Sequence, residues 1–485
     1  MKVRTIARLA GLGLLVFPVY GLAQESGQRL QQPTPAEQAE YLSFTASDEV
    51  LPFLTALVEA TSGFELDTLD VLTGGTGNVA TIPIARIPVS SALGESPVVR
   101  VLILGSQHGT ERAGLEVGLR IIRDLVNGDL ESLRHTLDVR VIPMTNPLGL
   151  IRRTMGATGG IDLNRDHVGL AAAETRAIWA EYDDWRPHLV LDLHELGPSE
   201  YSVQVGVPTH PNVDPELVEF ARFYILPQVA HRLARADIWF HEYVAAWEED
   251  AEETYYTPAP LAAVHARNAF ALAGAVSFLV EIASSRDIMG LEERTDRMYL
   301  ATRAFLEAAV LLAEDLTTVV ERASTLPNNA LSISAGYTAR TPDSQLPWVQ
   351  INERGLRVQT ALGPYLSVVE VKATLSPPAG WMIESRAGAL IGLLEAHGFE
   401  VERMTGPSNR SVQAYPACPD SLVEASIGQP TVRRFPAGSW WVSADQPGAR
   451  LLFTIVEPWS QDGWTATNAD FDCAQDTYAV YRVPA

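Results

Sequence analysis

VRVLILGSQHGTERAG, residues 99–114, joins an aliphatic run to a glycine-flanked polar turn and then to a helix-like pattern. A continuous apolar run that ends in a turn reads as a strand buried on both faces, the kind found in parallel sheets. His108 and Glu111 follow that strand directly. Open α/β sheets build their sites at this end of their strands.

Outward from this stretch the same alternation continues. A helix is predicted from about Glu111 to Val126, a strand at Leu137–Pro143, a helix around Glu174–Trp185 and a strand at His188–Leu193. Helices near Pro215–Ala234 and Ala262–Leu272, a strand at Val276–Ile282 and a long helix near Thr295–Leu316 follow. Upstream, Leu51, Leu54, Leu57 and Val58 give a helical stripe, with Thr45 and Asp48 as a capping box and Gly63 as its stop. Strands alternating with helices predict an α/β fold, a mixed and largely parallel sheet sandwiched by helices.

The texture changes near Thr325–Asn329, where Leu-Pro-Asn-Asn leads into β-leaning segments such as WVQINERGLRVQTAL and YLSVVEVKATL. A first domain is therefore predicted over residues 41–325, and residues 326–485 form a smaller, β-rich α+β C-terminal accessory domain. That tail carries a helix at Ala387–His397 and strands that include SWWVSA and ARLLFTIVE.

The N-terminus pairs a cationic start, MKVRTIAR, with a short apolar run ending in Gly21-Leu22-Ala23. Residues 1–23 read as a cleavable signal peptide, and the run is too short, and broken by Pro18, to span a bilayer. Residues 24–40 are polar and read as a flexible lead. The expected location is secreted or periplasmic, with no membrane attachment after cleavage. In an oxidising compartment the two cysteines, Cys418 and Cys473, are expected to form one disulfide, with two buried free thiols as the alternative. With 36 Lys+Arg against 59 Asp+Glu and no basic run, the chain is not a nucleic-acid binder.

Several motifs fall away on inspection. Gly75-Thr-Gly77-Asn-Val-Ala80 has the glycine spacing of a dinucleotide fingerprint, but the proline-containing segment TIPIARIPV follows it where a helix is required. A turn between strands is expected there. No Gly-x-Ser-x-Gly elbow occurs. His194-Glu195 and His241-Glu242 begin like the helical zinc motif, yet Pro198 and Ala245 stand where its second histidine belongs.

What remains is His108-Gly-Thr-Glu111 at one strand end and His194 at the end of another, LVLDLHE. Two histidines and a carboxylate around an open coordination position form a recurrent catalytic zinc site. Glu281 stands isolated in the apolar run SFLVEIA, where a carboxylate is costly to bury without a partner or a function.

From about Ser43 to Leu316 the chain resembles the zinc carboxypeptidase family, the carboxypeptidase A/B-like metallopeptidases. The resemblance is carried by QHGTERAG at 107–114, NPLGLIRRTMGATGGIDLNRDH at 146–167, DLHE at 192–195 and SFLVEIASS at 277–285. It implies one Zn2+ per chain held by His108, Glu111 and His194, Glu281 as general base, and Arg152 steadying the oxyanion, with Arg153 as its neighbour. It further implies Asn164 and Arg165 on the substrate's C-terminal carboxylate, Asp162 orienting a metal-bound histidine, and Tyr256 or the adjacent Tyr255 closing over the substrate. The sequence departs from the family at Met155, where many relatives carry a second arginine, and at His167, where an aromatic residue is usual.

The implied activity is hydrolysis of the C-terminal peptide bond of a peptide. A zinc amidase or deacylase acting on a non-peptide or cell-wall amide, and an exported binding protein without catalysis, are the rival readings. Arg267, fourteen residues before Glu281, either enters the side-chain pocket and favours acidic C-terminal residues or pairs with a surface carboxylate.

Overall fold

Apolar runs without a polar alternate must be covered on both faces, and the strands that carry them lie at the centre of the sheet. The computed structural model describes residues 32–485 except 62, 74–77, 91–96, 198, 200, 249–252, 284–289, 324–325, 328, 352–356, 416–426 and 468–477. Its main sheet has eight strands: β1 Glu65–Thr73, β2 Asn78–Ile87, β3 Val99–Gly105, β4 Leu137–Ile142, β5 Leu189–Leu196, β6 Val203–Gly206, β7 Phe240–Glu242 and β8 Val276–Ala283. They are ordered β1-β2-β4-β3-β5-β8-β6-β7. The pairs β4–β3, β3–β5 and β5–β8 are parallel, and antiparallel pairs flank them. The expected mixed, largely parallel sheet is the one observed.

Helices α1 Ser47–Ala60, α2 Ala113–Asn127, α3 Ala173–Trp185, α4 Ala266–Leu272 and α5 Leu291–Leu311 surround the sheet. Successive side chains of a strand face opposite ways. On β5, Glu195 accepts the Ala113 N–H of α2 and pairs with Arg294 of α5. Asp192 and His194 point to the other face, where α4 begins and where Trp179 of α3 packs on Phe270 of α4 at 4.9 Å between ring centres. The sheet is thus covered by helices on both sides.

The helix expected near Pro215–Ala234 forms two α-helical pieces, Pro215–Phe220 and Leu226–Arg235, joined by a π turn at Ala221–Ile225. Pro227 sits at the start of the second piece, where a missing N–H costs least. Thr45 does not cap α1: its N–H and hydroxyl both donate to Glu116 of α2, at 2.7 Å each, and the backbone N–H of Ala46 donates to Glu49 at 2.7 Å. Within the stretch read as a flexible lead, Pro35–Gln38 is a helical turn with a Thr34/Glu37 capping box, and Glu37 pairs with Arg123 of α2. β1 and β2 pair antiparallel up to Thr73↔Asn78; the turn expected between them falls at 74–77, outside the described residues.

From Leu331 onward the chain is β-rich. Two ribbons, Leu331–Thr338 with Val368–Leu375 and Gln345–Ile351 with Arg357–Pro364, precede a six-stranded antiparallel sheet. That sheet is built from β9 Gly380–Ile383, β10 Glu402–Arg403, β11 Ser408–Ala414, β12 Thr431–Phe435, β13 Trp440–Ser443 and β14 Val480–Val483. Helix α6 Gly388–Ala396 ends at His397 and Gly398, as expected. ARLLFTIVE is not a strand: Ala449–Val456 forms helix α7, with every residue buried. Short apolar runs do not distinguish a buried strand from a buried helix, and packing on all sides decided this one.

The hydrophobic core is continuous across the two sheets; Leu331, Trp381, Leu451 and Phe453 belong to the same cluster as the strands of the main sheet. Polar pairs stitch the same boundary. Asn212 exchanges two hydrogen bonds with the backbone of Ser332, at 2.6 and 2.8 Å, and Arg450 pairs with Asp214 at 2.6 Å. Residues 1–23 and the Cys418/Cys473 pair lie outside the described residues. Among the described residues no helix is long and apolar enough to cross a membrane.

Candidate metal centre

β3 ends at Gly105, where a Cβ would stand 2.7 Å from the carbonyl oxygens of both Gly114 and Pro143, so only glycine lets the chain turn off the sheet here. Ser106 follows in a left-handed conformation (φ 55°), and its hydroxyl donates to the Glu111 carbonyl at 3.1 Å. The next turn is closed by Glu111 N–H donating to the His108 carbonyl at 3.0 Å, which puts both side chains on one side of the loop. Gly109 packs directly on the backbone of Gly149, where a Cβ would come within 2.0 Å. The side chain of Asn146 holds that contact: it accepts the Gly149 N–H and donates to the Gln107 and Met155 carbonyls.

His194 arrives from β5 to complete the cluster. One ligand atom each from His108, Glu111 and His194 lies within 4.8 Å of the others. His108 Nδ1 is 2.7 Å from Glu111 Oε1, and His194 Nδ1 is 2.8 Å from Glu111 Oε2 and 3.2 Å from His108 Nδ1. The far nitrogens are engaged elsewhere, His108 Nε2 with Asp162 at 3.0 Å and His194 Nε2 with Asp192 at 2.9 Å. A carboxylate on the outer nitrogen fixes the tautomer of a metal-binding histidine and leaves the inner lone pair free. Two inner nitrogens and a carboxylate converge on one point, so the donor set fits a divalent cation with an open position.

The electrostatics agree with that fit. Burial alone pushes the His194 imidazole down, but the charges of Asp192 and Glu111 outweigh it and raise its pKa well above the ordinary value. Burial pushes the Glu111 carboxyl up, yet His194 and His108 hold it down at about 2. Without a cation, the cluster gathers protons to balance its carboxylates, and a bound metal displaces them.

Glu281 is 8% exposed and faces His194 across the β5–β8 register. Burial is the main cause that drives its carboxyl up to about 7, with His194 opposing, and its Oε2 has no hydrogen-bond partner among the described residues. An unpartnered buried carboxylate beside a cation site is suited to taking a proton from water.

The DLNR segment supplies the adjoining wall. Asp162 accepts from the Asn164 N–H at 2.9 Å in addition to bonding His108. Asn164 is buried, accepts the Ala266 N–H at 2.8 Å and sets its Nδ2 3.2 Å from His194 Nε2. Arg165 is exposed, and its charge is felt by Asp162, Tyr243, His265 and Arg267. Arg152 ends the exposed last turn of the helix Pro147–Arg152, which the Asn146 clamp holds on the ligand loop, and Arg153 follows in the left-handed region.

Tyr256 stands outside the main sheet. It lies in the hairpin Val244–Glu248/Thr254–Pro258, and its ring packs near Gly363 of the C-terminal ribbons. Tyr255 stacks on Trp247 in the same hairpin. The tyrosine that shares the field of Glu281, Arg267, His194 and Arg165 is Tyr243, whose hydroxyl burial pushes up. Its only sequence signal was its place directly after His241-Glu242, a pair rejected as a zinc motif.

A two-sided α/β sheet carrying a His/Glu/His cation cluster at its strand ends, with an unpaired buried glutamate beside it, defines the class as metallopeptidase. No protein-family model matches the chain. The curated carboxypeptidase 2 of Trichophyton tonsurans is 23% identical over 416 residues, 79% of this chain and 76% of that protein. Carboxypeptidase 2 of Trichophyton rubrum is 23% identical over 439 residues, 83% and 80% of the two chains. The solved metallo-carboxypeptidase from Burkholderia cenocepacia covers 56% of this chain and 70% of its own at 16% identity, with a TM-score of 0.43. The carboxypeptidase A from Helicoverpa armigera covers 56% and 75% at 20% identity, with a TM-score of 0.41. The chain is thus similar to curated carboxypeptidases over about four fifths of its length, at 23% identity.

Proposed function

We propose that this protein is an exported, zinc-dependent carboxypeptidase that removes the C-terminal residue of peptides. The convergence of His108, Glu111 and His194 on one point, with the unpartnered Glu281 carboxylate beside it, carries the reading. Zinc bound by these three residues supplies a Lewis acid that makes water acidic enough to attack at neutral pH. Glu281 accepts the proton of the attacking water and passes it to the leaving amine. Asp162 and Asp192 hold the two histidines in their ligating tautomers. Arg152 is assigned to the developing oxyanion, and Asn164 and Arg165 to the terminal carboxylate, which a guanidinium fork binds well. Tyr256 is the expected tyrosine closing over the substrate, and Tyr243, which shares the field of Glu281 and His194, is a second candidate for that role.

The side-chain pocket favours an acidic residue. Arg267 is 1% exposed, its stem lies against Gly206 and Leu279, and its Nε has no hydrogen-bond partner among the described residues. Its Nη2 donates to the carbonyl of Pro260, a neutral acceptor, and to Thr209 Oγ1 at 3.4 Å. Burial, with Arg165 also opposing the charge, lowers its pKa to about 10, so the cation persists at neutral pH. A buried cation beside a second cation is offset by an incoming anion. A substrate ending in Glu or Asp presents two carboxylates, one for each arginine.

The decisive experiment is release of C-terminal residues from matched peptides, with and without a chelator. Chelator-sensitive loss of the last residue, abolished by C-terminal amidation, is expected. Equal cleavage of amidated substrates would move the reading to a zinc amidase. Absence of bound metal and of turnover would favour a binding protein.

A further inference from the structure

Behind the metal cluster runs a line of buried polar side chains of which the proposed chemistry uses only Asp192. Trp179 Nε1 donates to His167 Nδ1 at 3.2 Å, His167 Nε2 lies 2.9 Å from Gln107 Oε1, and Gln107 Nε2 donates to Asp192 Oδ1 at 2.7 Å. Asp192 Oδ2 then meets His194 Nε2 at 2.9 Å. Gln107, His167 and Asp192 are 0% exposed, and Trp179 and His194 are 1% exposed, so water does not compete for these bonds.

The direction of every bond follows from its first member. An indole nitrogen can only donate, so His167 Nδ1 must be the accepting nitrogen. A neutral imidazole with an accepting Nδ1 carries its proton on Nε2, which donates to Gln107 Oε1. The amide of Gln107 is thereby oriented with its NH2 group toward Asp192, an orientation that no other assignment of this network permits. Asp192 spends Oδ1 on that amide and offers Oδ2 to His194. The Asn164 Nδ2 is farther from His194 Nε2, at 3.2 Å, and its amide is already oriented by the bond from Ala266 N–H, so the carboxylate takes the Nε2 proton. The lone pair of His194 is left on Nδ1, facing Glu111 and His108.

The geometry points to a polarity-setting relay, Trp179–His167–Gln107–Asp192, that acts through His194 to present its Nδ1 lone pair to the metal. Gln107 and His167 are positioning residues in this scheme. The relay rests on the three-ligand metal reading, but it adds residues that neither touch the cation nor face the substrate. His167 is the very position at which the sequence departs from the family's aromatic residue, and the departure supplies the one donor and one acceptor that the relay requires. Its far end is braced by the C-terminal region: His397 packs edge-on against Trp179 at 4.6 Å between ring centres.

The test compares four purified proteins, wild type, Gln107→Met, His167→Phe and His167→Gln, by zinc affinity in chelator competition and by the visible spectrum after cobalt substitution. Gln107→Met and His167→Phe are expected to weaken zinc binding about 10- to 100-fold, the usual consequence of removing an outer partner of a ligand. His167→Gln also carries one acceptor and one donor group, and is expected to recover affinity and the wild-type cobalt spectrum. Rescue by Gln and not by Phe is the result that a purely structural role would not give. Thermal unfolding of the metal-free proteins reports folding separately, and a variant that fails to fold leaves the other pair to decide. Wild-type zinc affinity in both Gln107→Met and His167→Phe would overturn the relay and leave the metal site intact; a wild-type protein that binds no zinc would overturn the site itself.

Discussion

Glu281 and His194 occupy the same register position on adjacent parallel strands, β8 and β5. Side chains opposite one another on neighbouring strands share a face, so the sheet itself fixes the distance between a ligand and the proposed base. Glu281→Gln keeps the shape and removes the proton acceptor. Its kcat is expected to fall by about 10²- to 10⁴-fold while bound zinc stays near one per chain. Steady-state kinetics with metal analysis of the same sample checks both, and near wild-type turnover would remove Glu281 from its role. Because only the carboxylate can act as base, wild-type activity is expected to fall as pH drops through the Glu281 pKa, which lies at about 7 without metal and lower with it.

Metal binding is expected to show in stability as well as in rate. A cation held only by the folded chain adds about 2.7 kcal/mol at a free concentration a hundred times Kd. The wild-type Tm is therefore expected to drop on chelation and return with zinc. In His194→Ala the Tm is expected to be indifferent to both additions. Calorimetry of the two proteins is sufficient, and a chelator-insensitive wild type would count against the site.

Much of the architecture was readable because parallel strands buried on both faces leave a strong trace: VRVLILG and VSFLVEIA carry little else. The cluster of His108, Glu111 and His194 was readable for a related reason, since polar residues at the ends of such runs have few other reasons to be there. Helix Ala449–Val456 was not, because an apolar run buried on every side has no period to read. Nearness in sequence to Glu281 points to Tyr256, whose hairpin sets its ring near Gly363; Tyr243 is brought beside β6 only through the pairing of β7 with β6. The relay was invisible for the same physical cause: Gln107, His167 and Asp192 come from three separate segments and acquire meaning only once the chain has brought them together.

Glu116 gives a pH dependence of stability with a definite sign. Burial raises its carboxyl to about 7, opposed by the two bonds from Thr45. A carboxyl raised on folding stabilises the protein fully below its unfolded pKa, and that contribution is lost as pH rises through the folded value. The loss spans the window between the ordinary 4.5 and about 7 and is on the order of 3 kcal/mol. Glu116→Gln keeps an acceptor for the Thr45 N–H and titrates no proton. Relative to wild type it is expected to be more stable near pH 8 than near pH 5, as measured by denaturant unfolding at the two values; a stability difference independent of pH would contradict the assignment.

Arg267 makes the most specific claim on substrate. Its stem is buried against Gly206, whose other neighbour is Leu279, two residues before Glu281 on β8; its guanidinium bonds only neutral acceptors among the described residues, and a substrate carboxylate would give it a charged partner. Hydrogen bonds between charged groups contribute about 1.5–3 kcal/mol, which corresponds to roughly 10- to 150-fold in kcat/KM. Wild-type enzyme is expected to release C-terminal Glu faster than Phe or Lys from matched peptides, and Arg267→Met is expected to lose that preference by reducing the Glu rate and sparing Phe. The side chain of Met fills the apolar part of the space without the charge, so a surviving Phe rate also shows that the fold is intact. A wild-type preference for Lys would place a carboxylate where the structure puts a guanidinium, and the acidic-pocket assignment would fall with it.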